Sequence, residues 1–151
     1  MRFVIQRVLE ASVKIDGAIY SDIQKGFLVL VGVEETDTKD DADWLCQKLI
    51  GMRIFADAED KMNLSLKDIN GDVLLVSQFT LFASTKKGNR PSYIKAARPE
   101  VAIPLYEAFI KQLEKELGKP IQTGEFGADM KVCLLNDGPV TIIIDSKQKD
   151  L

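Results

Sequence analysis

"LLNDGPVTIII", residues 134–144, joins two apolar runs, Met130 to Leu135 and Val140 to Asp145, and its reading decides how the last part of the chain folds. Both runs have the composition of buried strand, and a turn between them predicts a hairpin. The anomaly is Gly138-Pro139 at the end of that turn. Proline cannot donate to a sheet ladder, and Asp-Gly alone would turn a hairpin. Only X-Pro bonds hold a cis peptide within ~0.5 to 1 kcal/mol of trans. Two readings stand: a trans proline opening an edge strand, or a cis bond aiming nearby carbonyls where strand geometry cannot.

Outward from that stretch, "RFVIQRV" and "ASVKID-GA-IY" alternate with period two around an Asp16-Gly17 turn signal, so the chain opens with paired strands. "GFLVLVGV" (26–33) is a continuous apolar run and reads as a strand covered on both faces. Thr38 and Asp41 form a capping-box pattern, and Ala42, Leu45, Leu49 and Met52 recur at helical spacing behind it. "RIF" (53–55) reads as a short strand, "NLSLKDIN" (63–70) as connection, and "DVLLVSQFTLF" (72–82) as the strongest strand. "ASTKKGNRPS" is loop. A helical pattern runs from Pro99 to Leu117, with Leu105, Phe109, Leu113 and Leu117 as its apolar face and Gly118 as its stop. Pro104 is tolerated only if the regular helix begins close to it. The expected architecture is one α+β domain over residues 1–151, a largely antiparallel sheet or barrel with two helices packed on it.

Composition narrows the chemistry. With 151 residues, 46% of them hydrophobic, the chain is sized for one compact core, and no apolar run approaches a bilayer span. The opening residues alternate like a strand instead of showing a leader, so a cytoplasmic protein is expected. Cys46 and Cys133 lie far apart in apolar segments and read as buried free thiols. There is no histidine. That excludes a Ser-His-Asp triad, a Cys-His pair and a zinc site built on imidazole, and no metal or other cofactor is expected. A net charge of −3 argues against a general nucleic-acid coat but allows a local basic patch.

Four pieces carry possible chemistry. In "SQFTL" (77–81), strand alternation puts Ser77, Phe79 and Leu81 on one face and Gln78 and Thr80 on the other. This is either a strand leaving the core or the wall of a pocket with free N–H donors. "STKKGNRPSYIKAARP" (84–99) carries Lys86, Lys87, Arg90, Lys95 and Arg98 with no acid. It is either a solvated loop or a phosphate grip. The glycines of "TGEFGADM" (123–130) suit a turn or bulge better than a ligand contact. The fourth piece is Gly138-Pro139.

Together these segments resemble the D-aminoacyl-tRNA deacylases, also known as the D-tyrosyl-tRNA deacylase family. The likeness covers almost the whole chain, through "MRFVIQRVLEASV", "GFLVLVGV", "RIF" with "KMNLS", "VSQFTLFA", "KGNRPS", "FGADMKV" and "NDGPVTI". The resemblance implies hydrolysis of the ester in D-aminoacyl-tRNA by a homodimer with active sites at its interface. It implies that Gly138-Pro139, joined by a cis bond, enters the partner's pocket, meets the α-amino group and blocks an L side chain. Arg7 would orient this probe, and Met130 would form pocket wall. Without histidine, backbone N–H groups of Phe79 and Thr80 would hold the oxyanion, Gln78 and Ser77 would shape the site around the terminal adenosine, and water would attack. Thr80 could instead be a covalent nucleophile, although nothing in its own motif would activate it. Lys86, Lys87 and Arg90 would grip the tRNA. Two other readings compete: a non-catalytic module that binds RNA ends, and a dimeric scaffold whose Gly-Pro turn is only an interface element.

Overall fold

The computed structural model describes residues 1–151. Strand β1 (Arg2–Ile15) is the spine of the sheet. Its alternation buries Phe3, Ile5, Val8, Ala11 and Val13. Asp16 and Gly17 both have positive φ, 51° and 78°, which suits a tight turn into β2 (Ala18–Ile23). β3 (Gly26–Gly32) pairs antiparallel with the first half of β1, and β2 pairs with the second half. β3 is covered on both faces, with Phe27, Leu28, Val29 and Val31 all buried.

Helix α1 (Lys39–Gly51) follows, opened by the Thr38–Asp41 capping box and burying Ala42, Leu45, Cys46 and Leu49. A small antiparallel pair, β4 (Phe55–Ala56) and β5 (Met62–Leu64), leads to β6 (Asp72–Ser77), which lies parallel to β3. Helix α2 (Pro99–Leu117) then crosses over to β7 (Gln122–Thr123), parallel to β6. The sheet order is β2-β1-β3-β6-β7, with β8 (Lys131–Asp145) on β1 as well. The Ser21 hydroxyl donates to the Thr123 carbonyl at 2.7 Å, drawing β2 toward β7 and the sheet toward a barrel. The main core lies between sheet and helices, where Phe3 meets Phe109 edge-on at 5.1 Å and Phe27 stacks on Phe55 at 5.0 Å. The expected α+β architecture, mainly antiparallel with two helices, is what forms. No helix is long and apolar enough to cross a membrane.

Five local readings change. First, Met130–Leu135 and Val140–Asp145 form no hairpin. β1 runs unbroken for 14 residues, enough edge for both runs to pair with it in succession. Lys131–Leu135 pair with Lys14–Glu10, and Thr141–Asp145 pair with Gln6–Arg2. Between Gln6↔Thr141 and Val8↔Asn136, the single residue Arg7 faces Asp137, Gly138, Pro139 and Val140, so the proline sits in a wide bulge. β8 is also less buried than its composition suggests, with Leu134, Leu135 and Ile143 exposed.

Second, β6 stops at Ser77, and Phe79–Phe82 coil into a 3-10 turn, so strand alternation does not apply to Phe79, Thr80 or Leu81. Third, α2 contains Pro104 in its interior. Pro104 and Glu100 are both exposed, so solvent can replace the bond that proline removes. Fourth, Met62–Leu64, read mostly as connection, pairs with Phe55–Ala56, while Arg53 and Ile54 precede that strand. Fifth, only Cys46 is a buried thiol, pushed up to about 12 by burial; Cys133 is exposed.

Candidate active site

The carboxyl ends of the parallel neighbours β3 and β6 open into a cleft of about 330 Å³. β3 contributes Val31 and the residue beyond it, Val33; β6 and its end contribute Val76, Ser77, Gln78 and Phe79. Ala102 and Tyr106 of α2 close one side, and the loop Phe126–Met130 closes the other. Tyr106 donates to the Leu75 carbonyl at 3.3 Å, and burial pushes its phenol up to about 12, with Tyr20 adding to the rise. Phe126 meets the Tyr106 ring edge-on at 5.8 Å, which fixes the loop against the helix. Gly124 has a packing reason: a Cβ there would collide with the Met130 sulfur. Gly127 supplies a turn at φ 81°.

The 3-10 turn sets the polar end of the cleft. Leu81 N–H bonds the Gln78 carbonyl at 3.2 Å and Ala83 N–H bonds the Thr80 carbonyl at 3.0 Å. The N–H groups of Phe79 and Thr80 stand ahead of this ladder and have no partner in it. The Gln78 side-chain amide donates to the Thr80 hydroxyl. Asp129 and Tyr106 are the only ionisable residues on the lining, and Asp129 points outward to pair with Lys131 at 3.1 Å. The arrangement offers amide donors beside an apolar wall, and no paired nucleophile and base. Its chemical capacity is stabilisation of a developing oxyanion.

Ser77, Gln78, Phe79 and Met130 therefore share the cleft, with Thr80 beside it. Arg7, Gly138 and Pro139 do not line it; they build the bulge on β8. The Gly138–Pro139 bond is cis. Arg7 Nε donates to the Asp137 carbonyl at 3.1 Å and lies 3.3 Å from the Asp137 carboxylate, while Nη1 donates to the Ile54 carbonyl at 2.6 Å. Gly138 has φ 128°, and a Cβ there would meet Val140 Cγ2 at 2.9 Å and Arg7 Nη2 at 3.1 Å. Asn136 spans the bulge, its Oδ1 accepting from Val140 N–H at 2.9 Å and its Nδ2 donating to the Thr141 hydroxyl at 3.2 Å. Lys86, Lys87 and Arg90 are exposed on their loop and join no ion pair.

Sequence reasoning missed Tyr106, Phe126 and the bridging role of Asn136. Tyr106 lay within the apolar pattern of α2, one position from Leu105. Asn136 stood in the quoted motif but had no assigned task, because a hairpin would have used it as an ordinary turn residue.

The fold and the cleft define a class first. A solved structure titled "Structural Analysis of a probable eukaryotic D-amino acid tRNA deacylase" superposes with a TM-score of 0.82 at 18% identity, covering 95% of this chain and 98% of that one, so the two chains share one fold. The chain belongs to the family described as D-Tyr-tRNA(Tyr) deacylase, whose model matches residues 4–145. Proteins named D-aminoacyl-tRNA deacylase from Flavobacterium johnsoniae and Bacteroides fragilis are 66% and 64% identical over 150 residues, covering 99% of this chain and all of each relative. A solved structure titled "c-Myc DNA Unwinding Element Binding Protein" is 39% identical with a TM-score of 0.89, over 96% of this chain and 98% of that one.

Proposed function

We propose that this chain, acting as one deacylase domain over residues 1–151 in the cytoplasm, hydrolyses the ester of D-aminoacyl-tRNA and releases free D-amino acid and tRNA. The observation that carries the reading is the full-length match to deacylases, joined to a cleft with free amide donors and no histidine. An aminoacyl ester is already activated, so donors placed where negative charge appears can replace a strong base. One such donor is commonly worth ~2.7 to 4 kcal/mol. The Phe79 and Thr80 N–H groups are those donors, Gln78 and Ser77 hold the terminal adenosine, and water attacks with help from the neighbouring 2′-hydroxyl. Thr80 has a positional role.

Rejection of L-esters comes from Gly138-Pro139 of a second protomer. Support lies in their placement: the bulge is exposed, clamped by Arg7 and Asn136, and absent from its own chain's cleft lining. Leu134, Leu135 and Ile143 expose apolar surface on the same strand, which suits an interface in a homodimer. Glycyl-tRNA, which carries no side chain to block, is a further substrate under the same geometry.

Two measurements test this. Purified protein should release free D-tyrosine from D-tyrosyl-tRNA and leave L-tyrosyl-tRNA intact; retention of both esters would leave only an RNA-end binder or a scaffold. Mixing Gly138→Ala protein, with a damaged bulge, and Met130→Trp protein, with a filled cleft, should restore in the heterodimer both the rejection of L-tyrosyl-tRNA that Gly138→Ala lacks and the hydrolysis that Met130→Trp lacks, because its one open cleft faces an intact bulge. Absence of restoration in verified heterodimers rules out a site shared between chains.

A further inference from the structure

Beyond the cleft and the bulge, one exposed surface adjoins the cleft mouth. Tyr93 and Ile94 lie on the return limb of the basic loop, 39% and 89% exposed. This limb is anchored on both sides. Ser84 and Ser92 exchange two backbone hydrogen bonds at 2.8 and 2.9 Å, and Ala97 N–H donates to the Val33 carbonyl at 2.8 Å. Tyr93 and Ile94 are thus displayed from fixed backbone, and Ile94 contributes almost nothing to a core.

The Tyr93 ring meets the Phe79 ring edge-on at 5.1 Å, and Phe79, 58% exposed, lines the cleft. Aromatic surface therefore continues from the cleft mouth across Phe79 to Tyr93, and exposed Ile94 follows Tyr93 on the same limb. The same segment carries Lys86, Lys87, Arg90, Lys95 and Arg98, none in an ion pair, with no acid between residues 84 and 99, and the Glu35 carboxylate meets it only at the Arg98 N–H, at 2.9 Å. Five free cations here, in a chain of net charge −3, suit a polyanion.

We infer that Tyr93 and Ile94 form a stacking step for the unpaired nucleotides immediately 5′ of the esterified adenosine, with the basic loop tracking their phosphates. This rests on the deacylase reading above. Aromatic and apolar side chains on a cationic groove are how proteins hold single-stranded nucleic acid without reading its sequence, because every base has a π-face. A duplex, its bases already stacked, gains nothing from such a step. The surface matches the single-stranded 3′ end of a charged tRNA and places it so that its last nucleotide reaches the cleft.

The test compares two D-tyrosyl esters, full-length tRNA and free adenosine, on wild type, on the double variant Tyr93→Ala/Ile94→Ser and on Tyr93→Phe. Because lost stacking acts on binding, KM for charged tRNA should rise about tenfold or more in the double variant at unchanged kcat. Hydrolysis of the adenosine ester should be unchanged, and Tyr93→Phe should behave as wild type on both. An unchanged KM for tRNA, or an equal loss on both esters, overturns the inference. So does a changed sedimentation coefficient in the double variant, which would assign the patch to contact between protein chains. Wild type that cleaves neither ester refutes the deacylase reading itself, a separate result.

Discussion

Replacing Arg7 tests whether the bulge must be rigid. The guanidinium is only 12% exposed and donates to two carbonyls in different segments, Asp137 on the bulge and Ile54 before β4. Hydrogen bonds to charged groups contribute ~1.5 to 3 kcal/mol each, so Arg7→Met should lose about 3 to 6 kcal/mol before any repacking. The Asp137 carboxylate, a third exposed, adds less than about 1 kcal/mol. Arg7→Lys keeps the charge but presents one point instead of a fork, so it should lose about half as much. The loss falls on the piece proposed to sort the two hands of substrate. A displacement of 1 Å at such a site can cost ~10²-fold. Initial rates on D- and L-tyrosyl-tRNA should show the D-to-L ratio falling at least ~10-fold in Arg7→Met, with Arg7→Lys between it and wild type. Thermal melts and sedimentation on the same samples separate selectivity from unfolding. A folded Arg7→Met protein of unchanged assembly and unchanged ratio would refute the argument that Arg7 positions the filter.

Thr80→Ala loses one neutral hydrogen bond from Gln78, worth ~0.5 to 1.5 kcal/mol, so single-turnover hydrolysis of D-tyrosyl-tRNA should stay within about tenfold of wild type. Its abolition in a folded protein would make the hydroxyl the nucleophile. Neutralising Lys86, Lys87 and Arg90 together should weaken tRNA binding and flatten the log-log salt slope by about 2 to 3, measured by filter binding across a salt series. An unchanged slope removes these residues from the contact. Burial opposes ionisation of Asp41, yet the Ser146 hydroxyl, the Thr38 N–H and the Lys147 ammonium outweigh it and lower its carboxyl to about 2. Since the folded value lies below the ordinary 3.8, this stabilisation is present above that pH and is lost as pH falls toward 2. Urea titrations should show Asp41→Asn destabilised at pH 7, with the gap to wild type closing between pH 4 and pH 2; a constant gap would refute the assignment.

The helices were legible because each signal was local. Thr38 and Asp41 opened α1, and Pro99 and Gly118 bounded α2, through backbone chemistry confined to a few residues. The buried strand β3 was legible for a similar reason, since a run with no polar residue has no solvent face to offer. What failed was pairing. Whether Lys131–Leu135 folds back on Thr141–Asp145 depends on a third strand, and the length of β1 decides it from more than a hundred residues away. The end of β6 failed in the same way: Gln78 N–H bonds the Val31 carbonyl at 2.7 Å, and from there the chain turns into the 3-10 coil instead of extending the strand. The cleft residues at 77–79 and Met130 were found through motif likeness. Tyr106 and Phe126 were not, because an aromatic on an apolar face reads as core until the facing loop is placed.

That the proposed filter is main chain has a consequence for what it can distinguish. A pocket of side chains reads the size and polarity of the group it receives, and so would sort amino acids by kind. Backbone carbonyls at Asp137–Val140, fixed by Arg7 on one side and Asn136 on the other, would under the proposed function read only the direction in which a substituent leaves the α-carbon. Both clamps hold backbone atoms of the bulge, the Asp137 carbonyl and the Val140 N–H. The glycine completes the logic, since a Cβ at 138 would press on Val140 and Arg7, the residues that hold the shape. A surface built this way can refuse one hand of many different amino acids, and the cleft behind it needs no complementary pocket for each.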